Sequence, residues 1–244
     1  PEDTVKALVG VKAVMERPEP DGAIVLGAHM EAPFLAEAKA GAQLKQYFAD
    51  PNEENWQRYT GGLESVVRLI TMAPERAGAM EFISALTKKG ITVSIGHTTA
   101  DAETTHAAAE AGATHVTHTF NAQTPLNHRA PGVPGAALVD DRLQCEVISD
   151  GIHLHPDIVK LIIRTKGKEK LVAITDAMEA AGMPDGQYQL GGQEVFVHEG
   201  AARLKDGTLA GSTLTMIRAF QNLIRFGATP EEAALMTTKT PALS

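Results

Sequence analysis

Cysteine is all but absent from this sequence. Cys145 stands alone, so no disulfide can form within the chain, and its strand-like setting Leu143-Gln144-Cys145-Glu146-Val147-Ile148 reads as a packed thiol in a reducing, cytoplasmic compartment. Basic residues are also outnumbered: 22 Lys and Arg face 30 Asp and Glu, for a formal net charge of -8. That balance excludes a general nucleic-acid binder, which needs a dense cationic surface to displace counterions from phosphates. It leaves room for an anionic small molecule met by a few converging cations. Long hydrophobic runs are missing too. None approaches the roughly 20 residues of a membrane span, and no charged n-region followed by an apolar h-region opens the chain, so no membrane partner is expected.

What is present is enough for one large domain: 244 residues, 43% of them hydrophobic. The chain begins with a helix already under way, apolar at Val5, Leu8, Val9 and Ala13, and stops abruptly at Thr240-Pro241-Ala242-Leu243-Ser244. Both ends suggest a piece of a longer protein. Six short apolar runs are the strand candidates: Ala23–Leu26, Val66–Thr71, Ile91–Ile95, His115–Thr119, Leu143–Ile148 and Leu171–Thr175. Amphipathic stretches such as Arg76–Lys89, Asp101–Ala111 and Pro156–Lys166 lie between them. Strand-helix alternation with few hairpin signals predicts parallel strands with right-handed crossovers, here an α/β TIM barrel lacking its first strands. Thr98 and Thr99 are candidate caps for the helix that Gly112 ends.

After Asp176 the pattern changes. Tyr188–Leu190, Glu194–His198 and Ala201–Lys205 alternate and are separated by Gly191-Gly192 and Glu199-Gly200, which predicts antiparallel hairpins. The expected organisation is a partial barrel over 1–182, a hairpin insertion over 183–211 and C-terminal barrel helices over 212–244.

Polar residues recur at one topological place, the C-terminal ends of strands. Glu31 stands in GAHMEAPF, His97 in SIGHT, His118 in THTF and Asp176 in ITDA. In a parallel barrel that rim builds active sites. Two imidazoles and a carboxylate suit zinc or a similar divalent ion with positions left open, and Asp176 is then a proton shuttle. A lone histidine near a strand end is more often a hydrogen-bonded structural residue, the reading given to His106, His115, His155 and His198. Alternation also sets His115 on the side of its strand opposite His118, three residues on. His29 shares a side with Glu31 and is assigned to orienting a neighbour. The loops after consecutive strands carry His128, Arg129 and His153 to the same rim, a reasonable cradle for a phosphate.

The motifs GAHMEAPF with KAGAQ, SIGHTTA, THTFNA, HRAPG, SDGIH, TDAMEAAG and GTLAGSTLTM occur in an order that resembles the N-acetylglucosamine-6-phosphate deacetylase family of the amidohydrolase superfamily. The resemblance implies removal of the acetyl group from an N-acetylhexosamine 6-phosphate. It implies Glu31, His97 and His118 as ligands of a divalent metal (zinc first, iron or manganese as alternatives) and Asp176 as the acid/base. It also implies substrate contacts at Ala42, Gln43, Asn121, Ala122, His128, Arg129, Asp150, His153, Leu209, Ala210 and Gly211, a homodimer whose HRAPG loop completes a neighbour's phosphate site, and hairpins that are the remnant of an accessory β-sandwich. Two departures stand out: Ala32 where the family has glycine, costly if a positive φ is required there, and Gln43 where some members have histidine. Three other readings compete: an amidohydrolase acting on a cyclic amide, a metal-free sugar-phosphate isomerase or epimerase on a similar barrel, and a non-catalytic sugar-phosphate binding fragment. A barrel without two of its strands would expose sheet edges, so the piece alone is expected to be unstable or inactive.

Overall fold

The structure is a computed structural model that describes residues 1–244. A helix, α1 (Glu2–Glu16), precedes six parallel strands: β1 (Ala28–Met30), β2 (Val67–Met72), β3 (Thr92–Ile95), β4 (His115–Val116), β5 (Gln144–Ile148) and β6 (Leu171–Ile174). They lie side by side in chain order, so every crossover joins neighbours. The helices between them are α2 (Glu53–Thr60), α3 (Ala79–Lys88), α4 (Ala102–Ala111), α5 (Gly132–Val139) and α6 (Pro156–Lys170). β1 and β6 do not pair, which leaves a half-barrel with two free edges.

The helix boundaries follow from local chemistry. Asp101 accepts from the Thr104 amide at the start of α4, and Gly112 closes that helix at φ 119°, so the cap is Asp101 and not Thr98 or Thr99. The Thr98 and Thr99 hydroxyls donate instead to Glu75. Lys166 of α6, itself buried, sends its ammonium to the carbonyl oxygens of Ala137 and Asp140 at 2.8 Å, where the carboxyl end of α5 leaves them unsatisfied.

Strand alternation gives the sheet two unlike faces. Ile70, Met72, Val93, Ile95, Val116, Cys145, Val147 and Leu171 point to the helices and join a cluster of 38 buried apolar residues. The opposite face carries His29, Thr71, Ser94, His115, Thr117 and Glu146, and four hydrogen bonds tie five of these together. A barrel interior is ordinarily filled with branched aliphatics. Here it is polar directly beneath the rim.

The first strand lies later than the apolar run suggested. Residues 23–26 are largely exposed, Ile24 at 77% and Leu26 at 62%, and the ladder starts at Ala28 with a register shift before His29. Ala23–Leu26 has no second strand to pair with, and its one tie is the Arg68 Nε donation to the Leu26 carbonyl at 3.0 Å. Beyond the parallel sheet, β7 (Gly186–Leu190), β8 (Gln193–His198) and β9 (Ala201–Arg203) form an antiparallel sheet as the alternation predicted, with turns at Gly191-Gly192 and Glu199-Gly200. Val195, Val197 and Ala202 of this sheet pack on Met178, Ala180 and Ala210. A sandwich needs a second sheet against it, and the chain's only other sheet is the parallel one. Helices α7 (Met216–Arg225), α8 (Pro230–Thr237) and α9 (Lys239–Ala242) follow. A capping box fixes the start of α8, where Thr229 and Glu232 satisfy each other's backbone amides.

Candidate active site

A cavity of about 750 Å³ opens at the carboxyl ends of the strands. Glu31, His97, His118 and Asp176 all line it, together with Ala42, Gln43, Asn121, Ala122, His153, Leu209 and Gly211. At its floor Glu31 Oε1 lies 2.7 Å from His97 Nε2 and 3.7 Å from His118 Nε2, and the two ring nitrogens are 3.0 Å apart. One donor atom from each residue lies within 4.8 Å of the others, so this group could hold a metal ion. The surroundings fit one. His97 Nδ1 hydrogen-bonds the Lys39 carbonyl at 2.6 Å, which assigns the proton to that nitrogen and frees Nε2 to ligate. Both imidazoles are buried, at 5% and 4% exposure, and two such nitrogens would not be packed face to face without a cation or proton between them.

Charge coupling across the trio is strong. Burial alone would raise the Glu31 carboxyl, but the His118 and His97 imidazoles outweigh it and hold the group well below the usual carboxylate range. Burial disfavours a charged His118, yet Glu31 beside it, helped by Asp176 and Glu146, pushes its pKa up to about 9. Asp176 is pushed the opposite way to Glu31: burial first, then the like charge of Glu31, raises its pKa.

Three of the four rim residues adopt a backbone conformation that no sequence pattern announces. His97 (φ 46°), His118 (φ 30°) and Asp176 (φ 48°) are left-handed, which non-glycine residues rarely accept. Each sits just past a strand, and the turn rotates its side chain into the cavity. This also explains His115. Alternation places it with Thr117 on the polar face, and the left-handed His118 swings back over that same face, so the two histidines do not oppose each other. His115 is buried, its Nδ1 bonding the Thr114 hydroxyl at 2.9 Å and its Nε2 left without a partner. His29 bonds Thr71 at 2.7 Å and not a member of the trio. Ala32 has no positive φ, so its methyl carries none of the cost a glycine-only backbone would impose.

The remaining expected contacts divide. Gln43 lines the cavity, and its side-chain amide donates to Glu31 Oε1 at 3.1 Å. His153 lines it as well, with Nδ1 2.6 Å from Asp150 Oδ2, while Asp150 Oδ1 accepts from the Ile152 and His153 amides at 2.8 Å. Asp150 thus sits behind His153 and fixes its ring. Leu209 and Gly211 face the cavity, but Ala210 between them is fully buried in the small apolar cluster. His128 and Arg129 are exposed on a turn outside the cavity.

Glu146 escaped the sequence reading. Its strand reads as a mostly apolar run, and the one signal is a carboxylate inside it. The hydrogen-bond chain is one-directional: Thr117 donates to Ser94 at 2.6 Å and Ser94 to Glu146 Oε1 at 3.3 Å, so Thr71 must donate to Thr117 and His29 Nε2 to Thr71. Glu146 Oε2 has no partner, and burial pushes the carboxyl pKa up to about 7. A carboxyl raised in the folded state costs stability as pH climbs from its ordinary 4.5 through about 7, on the order of 3 kcal/mol in all. Glu146→Gln keeps an acceptor for Ser94 and removes that penalty. Denaturant unfolding of the metal-free protein at pH 5 and pH 8 is expected to show wild type falling more steeply than the variant, which keeps only the loss that His118 brings above its ordinary 6.5. Parallel pH profiles would rule out a titrating Glu146.

Comparison with known proteins agrees with this geometry. Residues 2–244 match the Amidohydrolase family. The N-acetylglucosamine-6-phosphate deacetylase of Bacillus subtilis (strain 168) is 45% identical over 208 residues, covering 84% of this chain and 52% of that protein. The N-acetylgalactosamine-6-phosphate deacetylase of Escherichia coli O157:H7 is 40% identical over 222 residues, covering 91% and 59%. The chain therefore spans a little over half the length of the curated relatives it matches. Among solved structures, a mutant N-acetyl-D-glucosamine-6-phosphate deacetylase from Mycobacterium smegmatis, in complex with N-acetyl-D-glucosamine-6-phosphate, superposes with a TM-score of 0.90 at 36% identity, covering 99% of this chain and 64% of that one. With a matching family over nearly its whole length and the Glu-His-His cluster at the strand ends, this chain belongs to the amidohydrolase family.

Proposed function

We propose that the protein carrying this chain is a metal-dependent deacetylase that hydrolyses the acetamido group of N-acetyl-D-glucosamine 6-phosphate to D-glucosamine 6-phosphate and acetate. The observation that carries this reading is the convergence of Glu31, His97 and His118 on one point of a cavity that Asp176 also lines. These three residues would hold a divalent cation, zinc by the chemistry of the donor set. When bound, such an ion supplies a Lewis acid that polarises the scissile carbonyl and lowers the pKa of water.

Asp176 accepts the proton of the attacking water and returns it to the amine nitrogen as the C–N bond breaks, as a poor leaving group requires. Its raised pKa favours holding that proton between the two steps. His153, fixed by Asp150, presents its remaining ring nitrogen to the cavity beside the reacting carbonyl. Gln43 steadies the Glu31 carboxylate by hydrogen bonding. Asn121 and Ala122 lie where the sugar would rest, and Leu209 and Gly211 close the wall beneath the antiparallel sheet. The exposed turn with His128 and Arg129 reaches the phosphate of a neighbouring copy in a homodimer, which reconciles its distance from this cavity with its cationic side chain.

Acetate release with metal analysis tests the reading. N-acetylglucosamine 6-phosphate is expected to be hydrolysed, with the galactosamine epimer tested alongside, unphosphorylated N-acetylglucosamine turned over far more slowly, and activity lost on chelation. Chelator-resistant activity, or indifference to the phosphate, would overturn it.

A further inference from the structure

Strand β2 lies between the strand of Glu31 and the strand of His97 and contributes no side chain to the trio. Its end nevertheless reaches both ways. On the backbone, the Ala73 amide donates to the Phe34 carbonyl at 2.9 Å and the Gly96 amide to the Met72 carbonyl at 3.2 Å. Beyond Pro74, Glu75 and Arg76 extend this bracing with charge. Glu75 Oε1 accepts from the Thr99 amide at 2.6 Å and the Thr99 hydroxyl at 2.8 Å, and its other oxygen accepts from the Thr98 hydroxyl. Thr98 and Thr99 directly follow His97 and its left-handed backbone. Arg76 turns the other way: Nη1 donates to the Leu35 carbonyl at 2.8 Å and Nη2 to Asp50 at 2.6 Å, gripping both ends of the loop that follows Glu31. That loop in turn touches His97 twice, through the Ala36 amide on its carbonyl at 2.9 Å and the Lys39 carbonyl on Nδ1 at 2.6 Å.

We infer that Glu75 is a positioning residue for the metal centre, with Arg76 as its counterpart on the opposite loop. Glu75 touches neither the trio nor the cavity. It holds the two residues that keep His97 in its left-handed turn, and so sets where His97 Nε2 stands relative to Glu31 Oε1. A strained turn relaxes unless its surroundings over-determine it, and three hydrogen bonds to one carboxylate supply that constraint. This inference rests on the metal-centre reading proposed above. It adds a role for a surface carboxylate that pocket geometry alone would pass over.

The test is metal affinity by chelator competition, the visible spectrum of the cobalt-substituted protein, and thermal unfolding of the metal-free form, for wild type, Glu75→Ala, Glu75→Gln and a Thr98→Val/Thr99→Ala pair. Glu75→Ala is expected to weaken zinc affinity about 10–100-fold and to shift the cobalt spectrum, as loss of an orienting partner does. Glu75→Gln, which retains a carbonyl acceptor, should lose less. In the threonine-substituted background, where only the Thr99 amide still reaches the carboxylate, Glu75→Ala should add less further loss than it causes in wild type. Should Glu75→Ala not fold, Glu75→Gln carries the same comparison. Wild-type affinity and spectrum in the Glu75 variants, or full additivity with the threonine pair, would overturn the positioning role while leaving the metal centre intact. A wild-type protein that binds no metal would overturn the metal centre, and this inference with it.

Discussion

Asp176→Asn is expected to reduce acetate release by about 10²–10⁴-fold while the protein keeps its metal. Asparagine preserves the size and leaves the left-handed backbone at φ 48° tolerable, since Asn enters that region more readily than most residues. In the proposed reaction it removes the group that takes a proton from water and returns it to nitrogen. The fall should appear in kcat far more than in KM, because proton transfer occurs only on the way to the transition state. Metal content should not follow it down, since Asp176 is not one of the three converging donors. Near-normal turnover in this variant would require another base, and His153 is the remaining titratable side chain on the cavity wall outside the trio that is already held in a fixed orientation. Loss of metal with activity would instead make Asp176 a ligand.

The trio and Asp176 were legible because a barrel rim is a topological place as well as a spatial one. Once six strands are read in order, a polar residue just beyond each apolar run has only one end of the sheet to occupy. What periodicity could not show is how those residues turn inward. Strict alternation sets His115 and His118 on opposite sides of β4, and a single left-handed residue undoes it. The first strand lies later than its apolar run for a related reason: Ile24 and Leu26 are apolar enough for a core, but burial depends on a neighbouring strand, and β1 has only β2. Glu146 was hidden because strand patterns are read for their apolar members. Its significance comes from hydroxyls on three other strands that meet only in the fold. Arg76 likewise reads as the start of a helix, whereas α3 begins at Ala79 and Arg76 turns, with Glu75 before it, to the neighbouring strand ends.

Glu31→Gln is the second substitution with a large expected effect, and it separates ligand loss from proton competition. Structural zinc sites are worth roughly 10–16 kcal/mol over about four ligands, so deleting one anionic donor should weaken binding on the order of 10²-fold or more. In wild type the proton is the metal's rival. With His118 pushed up to about 9 by Glu31, each unit of pH below that value favours the protonated imidazole, so apparent affinity should rise about tenfold per pH unit until about pH 9. Glutamine carries no charge to stabilise the imidazolium, so His118 should titrate at lower pH and the affinity should level off sooner, at a lower plateau. The metal-free protein must show the same linkage in its stability. A histidine raised in the folded state stabilises fully below its ordinary 6.5, and that contribution disappears as pH rises through about 9. Glu31, held low, contributes above the ordinary carboxyl value of 4.5 and loses its contribution as pH falls through the depressed one. Wild type without metal should therefore lose stability on the alkaline side between those histidine values, and Glu31→Gln should lose little there. His118 resonances followed by NMR from pH 5 to 10, beside chelator competition over the same range, check both limbs. An unchanged His118 titration in the variant would mean that the ion pair across this trio is not what prepares it to accept a cation.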